Sequence, residues 1–301
     1  MSKSEKKSGF IALIGNPNAG KSTLMNAILG QKVAIMSDKP QTTRTLIRGI
    51  LTRDEGQLVF LDTPGIHKPR HRLGEVMNEV AEDAMREVDV LLCVIDASVG
   101  NVHRHEDMLN KIRRANRPAL LALNKVDLIP KEQLLTLIAG YQKEYSFLEI
   151  IPVSAKTGDQ MDKLVQLLYR NVPEGPFYYP EGVVTDHPEA FLMAELIREK
   201  VLFLTHEEIP HSVAVQIEHM EFREENQVLN VHAIIYTERD SQKAILIGKE
   251  GNLLKRVGTL ARRDMEGLFH RKVYLELWIK VKKDWRNHEH LIRSFGLERD
   301  R

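Results

Sequence analysis

The chain of 301 residues has one cysteine, no long apolar run and almost no net charge, and each shortage removes a class of explanation. Cys93 cannot close a disulfide within the chain, and it lies inside the apolar run Val90–Ile95, where a thiol reads as a small core side chain rather than a nucleophile. No apolar stretch approaches the roughly 20 residues that span a bilayer. The start Met-Ser-Lys-Ser-Glu-Lys-Lys is not followed by the apolar core of a secretory signal, so a cytoplasmic location is the expectation. A formal net charge of +1 points to neither nucleic acid nor membrane by itself. His67, His71, His103 and His105 have no cysteine beside them to complete a zinc set, and they read as surface side chains. What is present, 43% hydrophobic and 28% charged residues, suits a soluble globular protein, and the length favours two domains.

Gly15-Asn16-Pro17-Asn18-Ala19-Gly20-Lys21-Ser22 follows the apolar stretch Phe10–Ile14 and opens a helical stretch with Thr23. It fits the phosphate-binding loop G-x-x-x-x-G-K-[ST]. Gly15 and Gly20 let the backbone wrap so that successive N–H groups face one phosphate chain, and the helix adds its positive dipole end. Lys21 reaches the β- and γ-phosphates, and the Ser22 hydroxyl is left for a magnesium ion, a hard cation that takes oxygen ligands.

Strands are predicted at 10–14, 46–52, 57–61, 89–95, 118–123 and 149–153, with helices near 21–29, 73–87, 103–115, 131–143 and 159–170. This alternation implies a doubly wound, mostly parallel α/β sheet. The connection Arg53–Gly56 is too short for a crossover, so its two strands form an antiparallel hairpin at the sheet edge. Ligands in such sheets sit beyond the carboxyl ends of the strands, where three more motifs fall. Asp62-Thr63-Pro64-Gly65 offers a magnesium-binding carboxylate and a glycine N–H that can approach a γ-phosphate. Asn124-Lys125-Val126-Asp127 offers a carboxylate that accepts both the ring N–H and the amino group of guanine, with the Lys125 stem along the base and Asn124 tied to the phosphate loop. Ser154-Ala155-Lys156 would give backbone N–H groups to the guanine oxygen.

Together the four segments resemble the guanine-nucleotide domain of Ras-like GTPases over roughly residues 8–172. The resemblance implies a mobile loop whose threonine ligates magnesium and senses the γ-phosphate, here within Lys39–Arg44. Thr43 is favoured and Thr42 is the alternative. Ile66 stands where many relatives carry a water-orienting glutamine, which implies slow unassisted turnover. Asn18 has two readings of equal weight: a turn former, or, as in related members, a group that helps coordinate K⁺ beside the phosphates.

Beyond a Pro- and Gly-rich linker at 173–185, Asp186 followed by Glu189 marks the N-cap of a helix running to about Leu204. Strands Ser212–Ile217 and Val228–Tyr236, helix Ser241–Ile247, the turn Gly248-Lys249-Glu250-Gly251, a helix near 252–268 and a strand near 272–281 follow. The order resembles a type II KH domain with its core at about 203–284 within 186–286, flanked by a tail at 287–301 and, at the other end of the chain, a flexible segment at 1–7. In that fold the GxxG turn approaches a sugar-phosphate chain, and single-stranded RNA is the implied ligand. From Asp240 onward there are about six more basic than acidic side chains, whereas 183–238 is acidic by about eight. Lys249, Lys243 and Lys255 lead the phosphate-contact candidates, with Arg256, Arg262 and Arg263 behind them; Trp285 either stacks a base or covers the core.

A Ras-like domain of the TrmE-Era-EngA type followed by a type II KH domain is similar to the Era family of bacterial GTPases. That resemblance implies a GTP- and Mg²⁺-dependent switch that binds 16S rRNA near its 3′ end and acts in maturing the 30S subunit. It also implies peripheral association with the inner membrane face, and a monomer is the expected state. Two other readings stand beside it: an RNA chaperone or scaffold with a mainly structural nucleotide domain, and an ATP-using kinase, against which Asp127 argues.

Overall fold

The computed structural model describes residues 6–66, 68–225 and 227–297. The first domain runs β1 (Lys7–Ile14), α1 (Lys21–Leu29), β2 (Ile47–Arg53), β3 (Gly56–Asp62), α2 (Arg72–Glu87), β4 (Val90–Asp96), α3 (Glu106–Ala115), β5 (Ala119–Asn124), α4 (Lys131–Glu144), β6 (Ile150–Pro152) and α5 (Met161–Asn171). Strand order is β2-β3-β1-β4-β5-β6, with β2–β3 antiparallel and every other pairing parallel. The central strands are continuous apolar runs because helices cover both sheet faces. Ile11, Leu13, Leu92 and Val94 pack with α1 and α5 on one side, while Ala12, Ile14, Leu91 and Cys93 pack with α2, α3 and α4 on the other. Burial raises the Cys93 thiol far above its ordinary range, which fits a core side chain.

The second domain contains α6 (Glu189–Leu204), α7 (Ile209–Ser212), β7 (Ala214–Arg223), β8 (Val228–Thr237), α8 (Asp240–Ile247), α9 (Asn252–Phe269), β9 (Lys272–Val281) and α10 (Glu289–Ser294). β8 pairs antiparallel with β7 and parallel with β9, and α6 and α9 cover one face of the three-stranded sheet. This is the expected α-β-β-α-α-β order of the KH fold, placed after a Ras-like domain.

Several local expectations are corrected. Asp186 does not cap α6: the N-cap is Pro188, and the Asp186 carboxylate instead accepts from the Tyr179 hydroxyl at 3.0 Å and pairs with Arg48 at 3.4 Å. The linker lies along edge strand β2, where Ile50 N–H donates to the Val184 carbonyl at 2.8 Å and so satisfies an edge group. Lys7, expected in a flexible segment, is the first residue of β1; residues 1–5 lie outside the described residues. The expected tail carries α10, whose Ile292 is buried with Leu297, Trp285 and Tyr236 and with Leu73 and Met77 of α2. That cluster joins the two domains, and residues 298–301 lie outside the described residues.

Trp285 is therefore a core side chain: it is fully buried, and its indole N–H donates to the Ser212 carbonyl at 2.8 Å. The histidines also divide. His105 is buried against the Tyr141 hydroxyl at 2.8 Å rather than exposed, His71 caps α2 by accepting from Gly74 N–H at 3.1 Å, and His67 lies outside the described residues. Among the described residues, no group of three or more His, Cys, Asp or Glu forms a metal set.

Candidate nucleotide and nucleic-acid sites

Every nucleotide motif sits beyond the carboxyl edge of the sheet, because β1, β3, β5 and β6 run parallel and end together. A cavity of about 280 Å³ there is lined by Pro17, Asn18, Lys21, Ser22, Thr43 and Gly65 among others. Gly65 belongs in this wall because a Cβ would stand 2.8 Å from the Pro17 nitrogen, so any larger residue would push the two loops apart.

Three oxygens converge at the buried end of β3. The Ser22 hydroxyl donates to Asp62 Oδ2 at 2.5 Å and lies 3.0 Å from the Thr43 hydroxyl, which itself donates to Oδ2 at 3.3 Å. The second carboxylate oxygen, Asp62 Oδ1, is buried without a hydrogen-bond partner. Such an orphan beside two hydroxyls is a donor set of hard oxygens, which fits magnesium. Burial raises the Asp62 carboxyl above its ordinary range, against the opposing pull of the Lys21 charge and the two hydroxyls. Burial likewise lowers the Lys21 ammonium, with Asp62 pulling it back. A bound dication and phosphate chain would favour the charged form of each. Of the two threonine candidates, Thr43 is the one whose hydroxyl meets Ser22 and Asp62, while the Thr42 hydroxyl is bonded to the Lys39 carbonyl at 2.7 Å.

The base side is assembled by side chains that reach across loops. Asn124 donates to the Ala19 carbonyl at 2.9 Å and accepts from Ala155 N–H at 3.0 Å, tying the phosphate loop to the 154–156 loop. Lys125 bonds the Asn18 carbonyl at 2.8 Å and Asp96 at 2.6 Å, a carboxylate that the sequence motifs do not contain. The Ser154 hydroxyl donates to Asp127 Oδ1 at 2.7 Å and so orients the carboxylate expected to read guanine, while Lys156 is exposed. Asn18 adopts a left-handed backbone, and its amide donates to the Asp38 carbonyl at 2.7 Å, so the turn role is present in the geometry. Thr63 is placed differently from the expectation: its hydroxyl donates to the Leu13 carbonyl at 2.7 Å and braces β1 instead of facing the cavity. Ile66 is only 8% exposed and packs into the core, so its side chain offers nothing to a water molecule.

In the second domain Gly248, at φ 73° and ψ 178°, holds a conformation open essentially to glycine and ends α8. Lys249 and Glu250 are exposed at the turn tip, and Gly251 starts α9. A groove of about 590 Å³ runs from Gly251 between α9 and β9, lined by Leu254, Lys255, Gly258, Arg262, Tyr274 and Leu277 among others. Helical spacing decides which cations meet it: Lys255 and Arg262 line it, while Lys243, Arg256 and Arg263 do not. Tyr274 and Trp278 are 56% and 57% exposed on β9, an aromatic signal the sequence reading passed over. Also missed were Arg44, Arg198 and Glu199, whose partners lie across the domain boundary and leave no local pattern in sequence.

Known proteins agree with this architecture. A family model described as a 50S ribosome-binding GTPase matches residues 10–125, and one described as a KH domain matches residues 208–286. GTPase Era from Heliobacterium modesticaldum is 53% identical over 292 residues, 97% of each chain. Among solved structures, a variant of Aquifex aeolicus Era bound to GDP·AlF4⁻ superposes with a TM-score of 0.93 at 40% identity, covering 97% of this chain and 99% of that one. Era in complex with MgGDPNP and nucleotides 1506–1542 of 16S ribosomal RNA gives 0.94 at 41% identity, with the same coverage.

Proposed function

Because the chain belongs to the Era family of GTPases, we propose that its GTP hydrolysis is slow and governs binding to the 3′ region of 16S ribosomal RNA during assembly of the 30S subunit. One observation carries the coupling: the loop that brings Thr43 to Asp62 also places the Thr42 carbonyl and the Arg44 guanidinium against the second domain. Binding of a γ-phosphate and ordering of this loop are then linked to the RNA surface. The RNA assignment is supported by the GxxG turn, the groove beside it and the complex of the similar Era.

In the reaction, Lys21 and the backbone of the phosphate loop hold the phosphate chain, and Gly65 N–H meets the γ-phosphate. Asp127, oriented by Ser154, selects guanine. Ser22, Thr43 and Asp62 would hold magnesium, which supplies charge neutralisation at the phosphates. Ile66 lacks a polar atom to orient water, which supports a turnover of about 10⁻⁴ to 10⁻² per second without a partner. Asn18 is proposed to assist a K⁺ ion; equal rates in potassium and sodium buffers would remove that role. Peripheral contact with the inner membrane is the remaining part of the reading, and no described helix is long and apolar enough to cross a membrane.

The test is linkage. The affinity for RNA matching the 3′ end of 16S rRNA is measured with GDP and with a nonhydrolysable GTP analogue, and each ligand is expected to change the other's affinity by the same factor. Identical RNA affinities in the two states would favour a scaffold with a structural nucleotide domain.

A further inference from the structure

The loop around Thr43 is held from two sides. The Thr43 side chain faces Ser22 and Asp62 of the first domain, while its neighbours face the second. The Arg44 guanidinium, 2% exposed, donates to the Val213 carbonyl at 2.5 Å, to Pro210 at 3.0 Å and to His211 at 3.1 Å, around the end of α7. Met36 N–H, at the start of the same loop, donates to Glu199 of α6 at 2.9 Å. Between these anchors, Arg198 Nη2 donates to the Thr42 carbonyl at 2.5 Å.

We propose that Arg198, in the first helix of the RNA domain, is a positioning residue for the nucleotide site: it fixes the Thr42 carbonyl so that the Thr43 hydroxyl stays beside Ser22 and Asp62. The proposal rests on the reading that Thr43 serves magnesium and the γ-phosphate. Arg198 is equipped for the task because its planar fork is itself fixed, with Nε and Nη2 on the two oxygens of Glu195 at 2.7 and 2.5 Å. Its helix is anchored by Met193, Leu196, Ile197 and Val201 in the core of the second domain, so a rigid element holds the contact.

The cost of the arrangement argues against simple adhesion. Two guanidinium groups, Arg44 and Arg198, are buried around the same short loop segment. Arg44 Nε and Arg198 Nη1 are both buried without hydrogen-bond partners. Apolar side chains of similar volume would hold two domains together without that cost. A planar donor that can reach a carbonyl one residue from the magnesium ligand does what an apolar contact cannot. Any RNA-induced shift of α6 would then act directly on the residue that distinguishes triphosphate from diphosphate.

The test uses the full chain without RNA, titrating fluorescent GDP and a fluorescent nonhydrolysable GTP analogue in magnesium buffer. Arg198→Ala is expected to weaken the triphosphate about tenfold and leave the diphosphate unchanged, with Arg198→Lys in between. Thr43→Val should show the same selectivity, and adding Arg198→Ala to it should cost nothing more, since the two act as one unit. Equal loss for both nucleotides, or additive loss in the double variant, would make Arg198 an interdomain adhesive and overturn the proposal. A Thr43→Val protein without selectivity would instead overturn the reading of Thr43. If Arg198→Ala does not fold, Glu195→Gln loosens the same fork and should give a smaller selective loss; an unchanged triphosphate-to-diphosphate ratio there overturns the proposal too.

Discussion

At the phosphate end of the nucleotide site, Lys21, Thr43 and Asp62 are buried and held by hydrogen bonds within the site. Asp62 is fully buried, Thr43 and Lys21 are each 6% exposed, and Asn124 joins two loops. Around the GxxG turn, its groove and β9 the reverse holds: Lys249, Lys255 and Arg262 are exposed, and Tyr274 and Trp278 present more than half of their surface to solvent. Stabilising charge that develops on a phosphate requires dipoles and ions fixed in advance in a poorly screened site. Following a flexible RNA strand requires many solvated contacts of modest strength, each displacing counterions. Single substitutions should therefore be severe and insensitive to salt at the first site, and mild and sensitive to salt at the second.

The sharpest challenge to this contrast is Lys21→Ala, which leaves Asp62 buried without its cation. Affinity for a GTP analogue is expected to fall by about a hundredfold or more, measured by nucleotide titration, while nucleotide-free RNA binding persists. A loss of only a few fold would place the two sites on the same footing.

Proton competition at Asp62 comes next. Its carboxyl is raised by burial, so the metal-free folded protein keeps a proton that the unfolded chain has already released. The contribution of this group to stability then falls as pH rises from the ordinary aspartate range through the raised value. Magnesium needs the carboxylate, so its affinity should drop as pH falls through that raised value, approaching about tenfold per pH unit below it. Calorimetric magnesium titrations across pH measure this, and Asp62→Asn should remove the dependence.

At the exposed site Lys249→Ala should weaken RNA binding several fold at low salt and reduce the slope of log affinity against log salt by about 0.7, the value for one single-strand phosphate contact. Nucleotide affinity should not move. The smallest effect is expected for Trp285→Phe, which removes the hydrogen bond to Ser212 and costs about 1 kcal/mol of stability by denaturant unfolding. RNA affinity should be unchanged, and a selective RNA defect would return Trp285 to the binding surface.

Much of this contrast was legible in the amino-acid order, for identifiable reasons. The phosphate loop, the edge hairpin at 53–56 and the GxxG turn are local: spacing of a few residues dictates backbone geometry, and the ligand chemistry follows. Sequence alone leaves Trp285 between a base and the core and reads residues 287–297 as a tail, because their partners, Ser212, Tyr236 and Met77, are distant in sequence. Thr63 falls within a correct motif, yet its hydroxyl answers the Leu13 carbonyl on a neighbouring strand. The candidate lysines could not be sorted until α9 showed which of its faces lines the groove.

By itself the sequence determined the two folds, the guanine nucleotide chemistry and the absence of a polar water director at Ile66, since each depends on short-range spacing or residue type. Only the tertiary structure decided that Thr43 rather than Thr42 meets Asp62, and that Arg44, Arg198 and Glu199 hold the same loop from the other domain. The reason is physical: a side chain's chemistry is intrinsic, but whether its charge is buried, paired or solvated depends on groups that folding brings to it from elsewhere in the chain.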